Sequence, residues 1–231
     1  MPAALFDCDG VLVDSYTPHY RAWARVAAER GFDFPEAEYA AGFGKSSGPF
    51  FADHYPEKGL PPDAVAEIDR RKERFYREAV EAEFPVLAGT VDLARRLHDA
   101  GWAIGIGTAG PRENAELAAA KTGLAAIAGA VVSADDVARS KPAPDIYLQA
   151  AQTLGIAPHD CVVFEDSKTG IAAARAAGMT VVAIASTGHT VEEYTDAAPD
   201  LVTTDAGVLT VEDVFGLLTI RHDPPHGLSA S

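Results

Sequence analysis

The sequence contains little cysteine. Only Cys8 and Cys161 occur among its 231 residues, and each lies within an apolar run. Two such cysteines do not suggest the disulfide framework of a small secreted protein, so we expect two buried free thiols. Free thiols are typical of the reducing cytoplasm, and we expect a cytoplasmic location.

Positive charge is also scarce. The chain has 19 Lys and Arg residues against 34 Asp and Glu residues, a formal net charge of -15. Nucleic acid binding needs a basic face, and docking on anionic lipid needs basic clusters, so we expect neither partner. A small anionic ligand remains compatible with this charge, because local cations or a bound metal can override the global field.

Long apolar runs are absent as well. No stretch approaches the about 18 apolar residues of a membrane-spanning helix, so we expect no membrane partner. The opening "MPAALFD" lacks basic residues and a long apolar segment, and we expect no signal peptide. With 48% hydrophobic residues, the chain can still form one large domain, or a core with a smaller partner.

Short apolar runs of strand length do recur, with alanine-rich stretches of helical length between most of them. Several of these stretches end in glycine, which suits the left-handed residue after a helix. Continuous apolar strands that alternate with helices predict an α/β protein with a doubly wound parallel sheet. The predicted strands cover residues 3–7, 102–108, 128–133, 161–166, 180–185 and 200–204.

The stretch between the first strand and the rest of this pattern has a different character. Helical periodicity covers residues 18–31 and 63–83, with a glycine-rich loop at 41–50 between them and no strand run. We interpret it as a helical domain inserted after the first strand. The predicted division is a core of residues 1–14 and 84–220, an inserted domain of residues 15–83, and a disordered tail of residues 221–231.

Four carboxylates follow or end predicted strands. Asp7 and Asp9 are two residues apart after the first strand, and Glu165 and Asp166 end a later one. Ligands of parallel sheets bind beyond the carboxyl ends of strands, so these acids can converge. Two unit charges about 4 Å apart repel by about 4 kcal/mol at an effective dielectric near 20. A hard cation relieves this repulsion, and a few carboxylates with room for a phosphate favour Mg²⁺.

Two further residues complete a possible phosphoryl-transfer site. Thr108 ends the predicted strand in "GIGTAG", where its hydroxyl can donate to a phosphoryl oxygen. Lys141 lies in a loop stiffened by Pro142 and Pro144, where its ammonium can neutralise the transferring oxygens. Each alone is more typical of an ordinary strand-end hydroxyl or surface lysine, so the prediction depends on their occurrence with the four acids.

The order of these stretches resembles the four motifs of the haloacid dehalogenase superfamily, and the helical insertion resembles its subfamily with a small α-helical cap. The stretches are "DCDGVLVDS" (7–15), Thr108 in "IGIGTAG" (104–110), Lys141 in "SKPAPD" (140–145) and "FEDSKTG" (164–170). The resemblance covers residues 3 to about 218. It implies a Rossmann-like core and a cap of residues 15–83.

The resemblance also implies roles. Asp7 is expected to be the nucleophile that forms an aspartyl-phosphate, and Asp9 the acid and base. Thr108 and Lys141 would hold the phosphoryl group. Asp7, the Asp9 backbone carbonyl and Asp166 would ligate Mg²⁺, with Glu165 at or just behind the metal. The dehalogenases that give the superfamily its name lack the second aspartate, so phosphate chemistry is favoured.

Substrate specificity is expected to come from the cap. The positions of His19, Lys45 and Lys72 are similar to those of substrate-binding residues in β-phosphoglucomutases. The run "AGPR" (109–112) replaces the Ser-Lys-Asn run of that mutase, and Lys45 stands where it has arginine; both changes weaken a second phosphate site. Ala109, Gly110 and Arg112 in this run are also expected to bind substrate.

We therefore predict a Mg²⁺-dependent phosphatase that acts on a small phosphomonoester, such as a sugar phosphate, with a phosphosugar mutase as the alternative. We expect a monomer or weak homodimer.

Three other interpretations are compatible with parts of the sequence. Gly105, Gly107 and Gly110 form a literal dinucleotide-binding G-x-G-x-x-G, but this stretch is not in the first βαβ unit and lacks a convincing acidic residue about 20 positions on. A phosphorylation-receiver module also combines a parallel sheet with Asp, Thr and Lys, but its phosphate-accepting Asp lies in mid-chain. A catalytically inactive phosphate-binding relative is a third alternative. Release of phosphate from an ester would separate the enzyme from these binding proteins.

Overall fold

A computed structural model of the chain describes residues 1–31, 33–42, 61–187 and 189–222. It contains a six-stranded sheet in which every neighbouring pair of strands is parallel. This confirms the predicted fold class, and each observed strand lies within its predicted range. The strands are β1 (Ala3–Phe6), β2 (Ala103–Gly107), β3 (Ala128–Val132), β4 (Cys161–Glu165), β5 (Thr180–Ile184) and β6 (Leu201–Thr203).

Contacts within the chain divide it into two compact units. The first comprises Met1–Leu12 and Leu87–Ser231, and the second is Val13–Val86. These bounds lie a few residues from those predicted, and the assignment of the second unit as a cap stays a prediction. The predicted tail at 221–231 lies outside the described residues from position 223 onward.

The helices of the first unit cover the sheet. They are α4 (Ala88–Asp99), α5 (Arg112–Thr122), α6 (Asp145–Leu154), α7 (Lys168–Ala176) and α8 (Val211–His222). Gly101, Gly123, Gly155 and Gly178 each have φ between 70° and 90° at or just after a helix end, as the sequence predicts. In the described part of the chain, no helix is both long enough and apolar enough to cross a membrane.

The second unit contains three described helices, α1 (Tyr16–Glu29), α2 (Glu36–Gly42) and α3 (Pro62–Ala82). Helices α1 and α3 pack against each other through apolar side chains such as Trp23 and Phe75, with the Arg25 guanidinium 3.6 Å from the centre of the Phe75 ring. Helix α2 is missing from the sequence prediction. The predicted loop at 41–50 lies outside the described residues beyond Gly42.

The central strands of the sheet are deeply buried. All four residues of β1 are fully buried, and the rings of Phe6 and Phe164 stack with centroids 4.7 Å apart. Burial of one such large apolar side chain contributes about 1.5–3 kcal/mol, so these side chains stabilise the centre of the sheet. The two cysteines are free and buried in these surroundings, as predicted.

The strand order places the predicted site. The order is β3-β2-β1-β4-β5-β6, so the direction of the crossovers reverses at β1, which lies between β2 and β4. Phe6 is in register with Ile106 on one side and Phe164 on the other. The residues that follow these three positions therefore meet at one edge of the sheet, at the switch point where parallel α/β folds bind ligands.

Candidate active site

Asp7 occupies the centre of this edge. Its backbone amide continues the β1–β4 ladder and donates to the Phe164 carbonyl at 3.0 Å, and the residue is 7% exposed. The chain then turns sharply at Gly10, where φ is +70°, and the Leu12 amide donates to the Cys8 carbonyl at 2.9 Å. The end of a buried strand and a tight turn thus fix the position of the Asp7 carboxylate.

Lys141 joins the acids from two different strands. Its Nζ atom lies 3.0 Å from Asp7 Oδ1 and 2.6 Å from Glu165 Oε1, and it also donates to the Gly107 carbonyl at 3.0 Å. The Lys141 side chain is only 2% exposed. Burial alone would lower the pKa of Lys141, but the carboxylates of Asp7 and Glu165 outweigh it and raise that pKa. Lys141 is therefore a buried ammonium group at the centre of the acidic cluster.

Glu165 is surrounded by hydrogen-bond donors. Its carboxylate accepts from Lys141 Nζ and from the Tyr147 hydroxyl at 2.9 Å. It also accepts from the backbone amides of Asp166 and Ser167 and from the Ser167 hydroxyl. Burial raises the pKa of Glu165, but Lys141 and these hydrogen bonds outweigh burial and lower it, so the group is ionised. With its oxygens engaged in this way, Glu165 is better suited to a position just behind a metal than to direct ligation.

The acids of this edge fit a divalent cation. Asp7, Glu165 and Asp166 are buried and each offer an oxygen within 4.8 Å of the others. Burial raises the pKa of Asp166 well above its usual range, and the charges of Glu165, Asp7 and Asp9 raise it further. Burial likewise raises the pKa of Asp7 to about 7, against the opposing effect of Lys141. Among the described residues, Asp7 Oδ1 finds no hydrogen bond of good geometry. One ammonium, that of Lys141, offsets only part of the repulsion in this cluster of carboxylate oxygens, so the cluster is a suitable site for a hard cation.

Asp9 and Thr108 lie beside the same glycine. A Cβ atom added to Gly110 would lie 3.4 Å from Thr108 Oγ1 and 3.7 Å from Asp9 Oδ2. The Gly110 amide donates to Thr108 Oγ1 at 3.0 Å, and the Thr108 amide donates to the Val132 carbonyl at 2.9 Å. The structure thus brings Asp9 and Thr108 together at this edge of the sheet, while their roles stay predictions.

Arg112 is engaged with acidic neighbours. Its Nη2 atom pairs with Asp136 Oδ1, its Nη1 lies 3.6 Å from Glu116 Oε1, and its amide donates to Asp135 Oδ2 at 2.8 Å. Asp136 is itself held by the Ser133 amide and hydroxyl. An anionic substrate that uses Arg112 would therefore have to compete with Asp136.

The Arg112–Asp136 pair should make stability depend on pH. The hydrogen bond from Arg112 lowers the pKa of Asp136 to about 2, so the pair stabilises the fold above the unfolded value of about 3.9, and this contribution is lost as the pH falls toward 2. Arg112 is 40% exposed, and screening reduces the effect to about 1 kcal/mol. Urea denaturation should show that Asp136→Asn is more destabilising at pH 7 than at pH 3. An equal cost at both pH values, or an undiminished cost in an Arg112→Gln background, would contradict this.

Two of the predicted cap residues lie in one cluster of the second unit. The His19 ring stacks on the Tyr76 ring with centroids 3.9 Å apart. Lys72 Nζ lies 5.9 Å from the same ring and 2.6 Å from Glu73 Oε1, and both members of this ion pair are buried. The structure therefore brings His19 and Lys72 together but compensates the charge of Lys72. Lys45 lies outside the described residues.

Three further side chains at the acidic edge were not predicted from the sequence. Tyr147 donates to Glu165, Tyr194 donates to the Asp166 carbonyl, and His189 Nε2 lies 3.9 Å from Asp166 Oδ2. A tyrosine on the apolar face of a helix is typical of a core residue, so Tyr147 gives no functional signal. Among the described residues, His189 lies outside the strands and the long helices, so no local pattern could place it at this edge.

Gly10 provides a test of how closely the acids are packed. A Cβ atom at Gly10 would lie 1.7 Å from Asp166 Oδ2, whereas a Cβ at Gly155, which has the same φ of +70°, would contact nothing within 4 Å. Both Gly→Ala variants should carry backbone strain of about 1–3 kcal/mol. We expect only Gly10→Ala to displace Asp166 and to weaken Mg²⁺ binding by about tenfold or more. Calorimetric titration of both variants checks this, and equal affinities would contradict the close packing.

Comparisons with known proteins agree with this arrangement. Residues 1–178 match the family model of the haloacid dehalogenase-like hydrolases. The chain is 38% identical over 181 residues to hexitol phosphatase A of Escherichia coli (78% of this chain, 81% of the relative). It is 34% identical over 192 residues to protein CbbY of Rhodobacter capsulatus (79% of this chain, 84% of the relative). A β-phosphoglucomutase structure from Clostridium difficile superimposes with a TM-score of 0.83 at 22% identity, over 96% of this chain and 99% of the other, a similarity of fold alone.

Proposed function

This chain belongs to the haloacid dehalogenase-like hydrolases, and we propose that it hydrolyses a small phosphosugar through an aspartyl-phosphate on Asp7. The observation that carries the proposal is the buried contact of Lys141 Nζ with both Asp7 and Glu165, at 3.0 and 2.6 Å. A buried ammonium that is fixed beside a carboxylate at the mouth of a sheet can hold a transferring phosphoryl group next to its nucleophile.

The reaction divides into two displacements. In the first, an Asp7 oxygen attacks phosphorus, the bond from phosphorus to the sugar oxygen breaks, and Asp9 gives its proton to the leaving oxygen. In the second, Asp9 takes a proton from water, the water oxygen bonds to phosphorus, and the bond from phosphorus to Asp7 breaks. Inorganic phosphate leaves, and both aspartates return to their starting states. Covalent catalysis of this kind replaces one difficult step by two easier ones.

The other residues of the edge hold charge and position. Lys141 and Thr108 are suited to bind the phosphoryl oxygens, on which charge is spread during transfer. Glu165 also binds the Lys141 ammonium, so this cation is shared between Glu165 and Asp7 and does not pair with Asp7 alone. Tyr147 in turn donates to Glu165 at 2.9 Å and limits the movement of its carboxylate. The reacting group would thus enter a site whose donors are already oriented.

We propose Mg²⁺ as the cation of this site, held by Asp7, Asp166 and the Asp9 backbone carbonyl, with Glu165 behind it. The acidic cluster fits such an ion because its members are buried close together, and burial together with their mutual repulsion raises the pKa of Asp166. When bound, the ion supplies positive charge that offsets the charge of the phosphoryl group and of the acids.

A protein fully stripped of divalent cations should be inactive and should regain activity with Mg²⁺.

The proposed substrate is a phosphomonoester with one phosphate on a sugar or polyol. The similarity to a protein named hexitol phosphatase supports this class. Lys72 also supports it, because the ion pair with Glu73 leaves it poorly suited to grip a second phosphate. His19 and Lys72, together with Lys45 and the run Ala109, Gly110 and Arg112, are the residues proposed to contact the rest of the substrate.

A panel of phosphate esters tests this function. The panel contains hexitol phosphates, ketose and aldose monophosphates, β-glucose 1-phosphate and phosphoglycolate, each followed for free phosphate and for isomerised sugar. We expect stoichiometric release of free phosphate from at least one sugar or polyol monophosphate. A product of glucose 6-phosphate without free phosphate would make the phosphosugar mutase the better assignment. Tight binding of phosphate without turnover of any ester would indicate a binding protein.

A further inference from the structure

The loop that follows β2 is joined to the loop that follows β3. Because the two strands are parallel, both loops leave the sheet at the edge where the acids meet. The Thr108 amide in the first loop donates to the Val132 carbonyl at 2.9 Å, and the Ala134 amide in the second donates to the Gly110 carbonyl at 3.2 Å. The loop that carries Thr108 is therefore fixed beside its neighbour by backbone hydrogen bonds.

Arg112, the first residue of α5, is bound to the second loop through both its backbone and its side chain. Its amide donates to Asp135 Oδ2 at 2.8 Å, and its Nη2 atom pairs with Asp136 Oδ1. Arg112 lies two residues after Gly110, where an added Cβ atom would lie 3.7 Å from Asp9 Oδ2. The Arg112 side chain is 40% exposed. It is thus a partly exposed cation next to the proposed phosphoryl-binding loop, and it already has a carboxylate partner.

The carboxylate of Asp136 is fixed in its place beside Arg112. Its Oδ2 atom accepts from the Ser133 amide at 2.8 Å and from the Ser133 hydroxyl at 2.7 Å, while Oδ1 pairs with the guanidinium. Two hydrogen bonds to one oxygen restrict the rotation of the whole carboxylate. Most exposed ion pairs are weak partly because their side chains lose freedom when they pair. For Asp136, Ser133 has already removed much of that freedom.

This ion pair affects which esters can use Arg112. A second phosphate or a carboxylate of a substrate would have to displace Asp136 from the guanidinium. Asp136, held by Ser133, would remain close by and would repel the incoming anion. A hydroxyl group of a sugar or polyol carries no charge and meets no such repulsion. Like charges that face each other oppose binding, so a fixed acid can exclude one class of ligand while it tolerates another.

We propose that Asp136 is a specificity-determining residue, which neutralises Arg112 and so favours esters with one phosphate over esters with a second anionic group. This inference rests on the proposed function for the place where the ester binds, and it names a residue that selects the proposed substrate class. Specificity often depends on a group that opposes the wrong ligand. Asp136 would not contact the transferring phosphoryl group, and it would therefore affect the choice between esters and not the chemical step.

Fructose 1-phosphate and fructose 1,6-bisphosphate form a matched pair of esters for the test. Calorimetry on the full chain with Mg²⁺, in an Asp7→Asn background that does not turn the ester over, measures the affinity for each. We expect Asp136→Asn to raise the affinity for the bisphosphate relative to the monophosphate by about tenfold, because Arg112 becomes able to bind the second phosphate. Asparagine keeps a side-chain oxygen for Ser133 but carries no charge.

Two further variants assign the effect to the guanidinium. Asp135→Asn makes the same chemical change one residue away, beside the Arg112 amide, and should shift the ratio of the two affinities much less than Asp136→Asn does. Addition of Arg112→Gln to Asp136→Asn should abolish the gain, because the second phosphate then has no guanidinium to bind. Equal shifts in Asp135→Asn and Asp136→Asn would show that net charge sets the ratio, and would overturn the proposal.

The proposal also fails if Asp136→Asn leaves the ratio unchanged, if the gain survives Arg112→Gln, or if the Asp7→Asn chain binds neither ester. Urea denaturation establishes that each variant is folded. If Asp136→Asn is not, Ser133→Ala decides: it loosens Asp136 and should shift the ratio in the same direction, and no shift would overturn the proposal. The measurement does not depend on turnover. The expected ratios in a chain that releases no phosphate would contradict the proposed function and leave this inference standing, whereas release of phosphate with unchanged ratios would contradict this inference alone.

Discussion

Asp7→Asn should reduce turnover by about 10⁴-fold or more, the scale seen when a covalent nucleophile is removed. An amide cannot form the aspartyl-phosphate. No other described carboxylate lies directly after β1, the strand between β2 and β4, and next to Lys141. Steady-state release of phosphate measures the loss. Asp99→Asn makes the same chemical change at an exposed residue at the end of α4 and should be fully active.

The same variant should not lose stability. Burial raises the pKa of Asp7 to about 7, so folding disfavours its ionised form. This penalty begins above the unfolded value of about 3.9 and is complete above pH 7. Asparagine removes the penalty, and in metal-free protein at pH 8 the midpoint of thermal unfolding of Asp7→Asn should equal or exceed that of the wild type. A lower midpoint together with lost activity would mean that Asp7 is mainly structural.

Lys141→Met should have the opposite effect on stability. It leaves the carboxylates of Asp7 and Glu165 without their shared ammonium, and removal of one partner from a buried ion pair costs about 3–5 kcal/mol. Urea denaturation of metal-free protein should show a loss of this size, and turnover should also be lost. Addition of Mg²⁺ should restore part of the stability, because the cation replaces some of the missing charge.

Two variants separate this buried site from an ordinary ion pair. Lys168→Met removes an exposed partner of Asp196, whose Oδ1 lies 2.9 Å from Lys168 Nζ, and should cost little or no stability, because solvent screens such a pair. The double variant Lys141→Met with Glu165→Gln should regain part of the stability lost in Lys141→Met, since one of the uncompensated charges is removed. A cost for Lys141→Met that is no larger than that for Lys168→Met would contradict the buried-ammonium description.

The sheet could be predicted from the sequence because its strands are buried on both faces. Stretches such as residues 161–164 and 181–184 are then continuously apolar, and glycines follow the helices that connect the strands. Helix α2 (Glu36–Gly42) could not be predicted in the same way. It has seven residues, and Tyr39 is its main buried side chain, so it shows no periodicity.

Part of the acidic edge could be predicted because the positions of the strands could be predicted. Asp7, Thr108 and Asp166 each follow a strand, and the register of parallel strands brings such positions together. The contacts of Tyr147 and His189 depend on packing between distant stretches, which local patterns do not contain. Arg112 pairs with Asp136, 24 residues further along the chain, and this contact too depends on the folded structure. The sequence alone therefore could not show that Arg112, a predicted substrate-binding residue, already has a carboxylate partner.

The central claim is that Asp7 carries the phosphoryl group during turnover, beside a cation held by the buried acids. Mass spectrometry of the protein quenched in acid during turnover of a phosphate ester with Mg²⁺ tests it most directly. The account predicts one phosphoryl group on the peptide that contains Asp7, absent in Asp7→Asn and absent when divalent cations are removed. Steady release of phosphate without any phosphoryl group on Asp7 would contradict it.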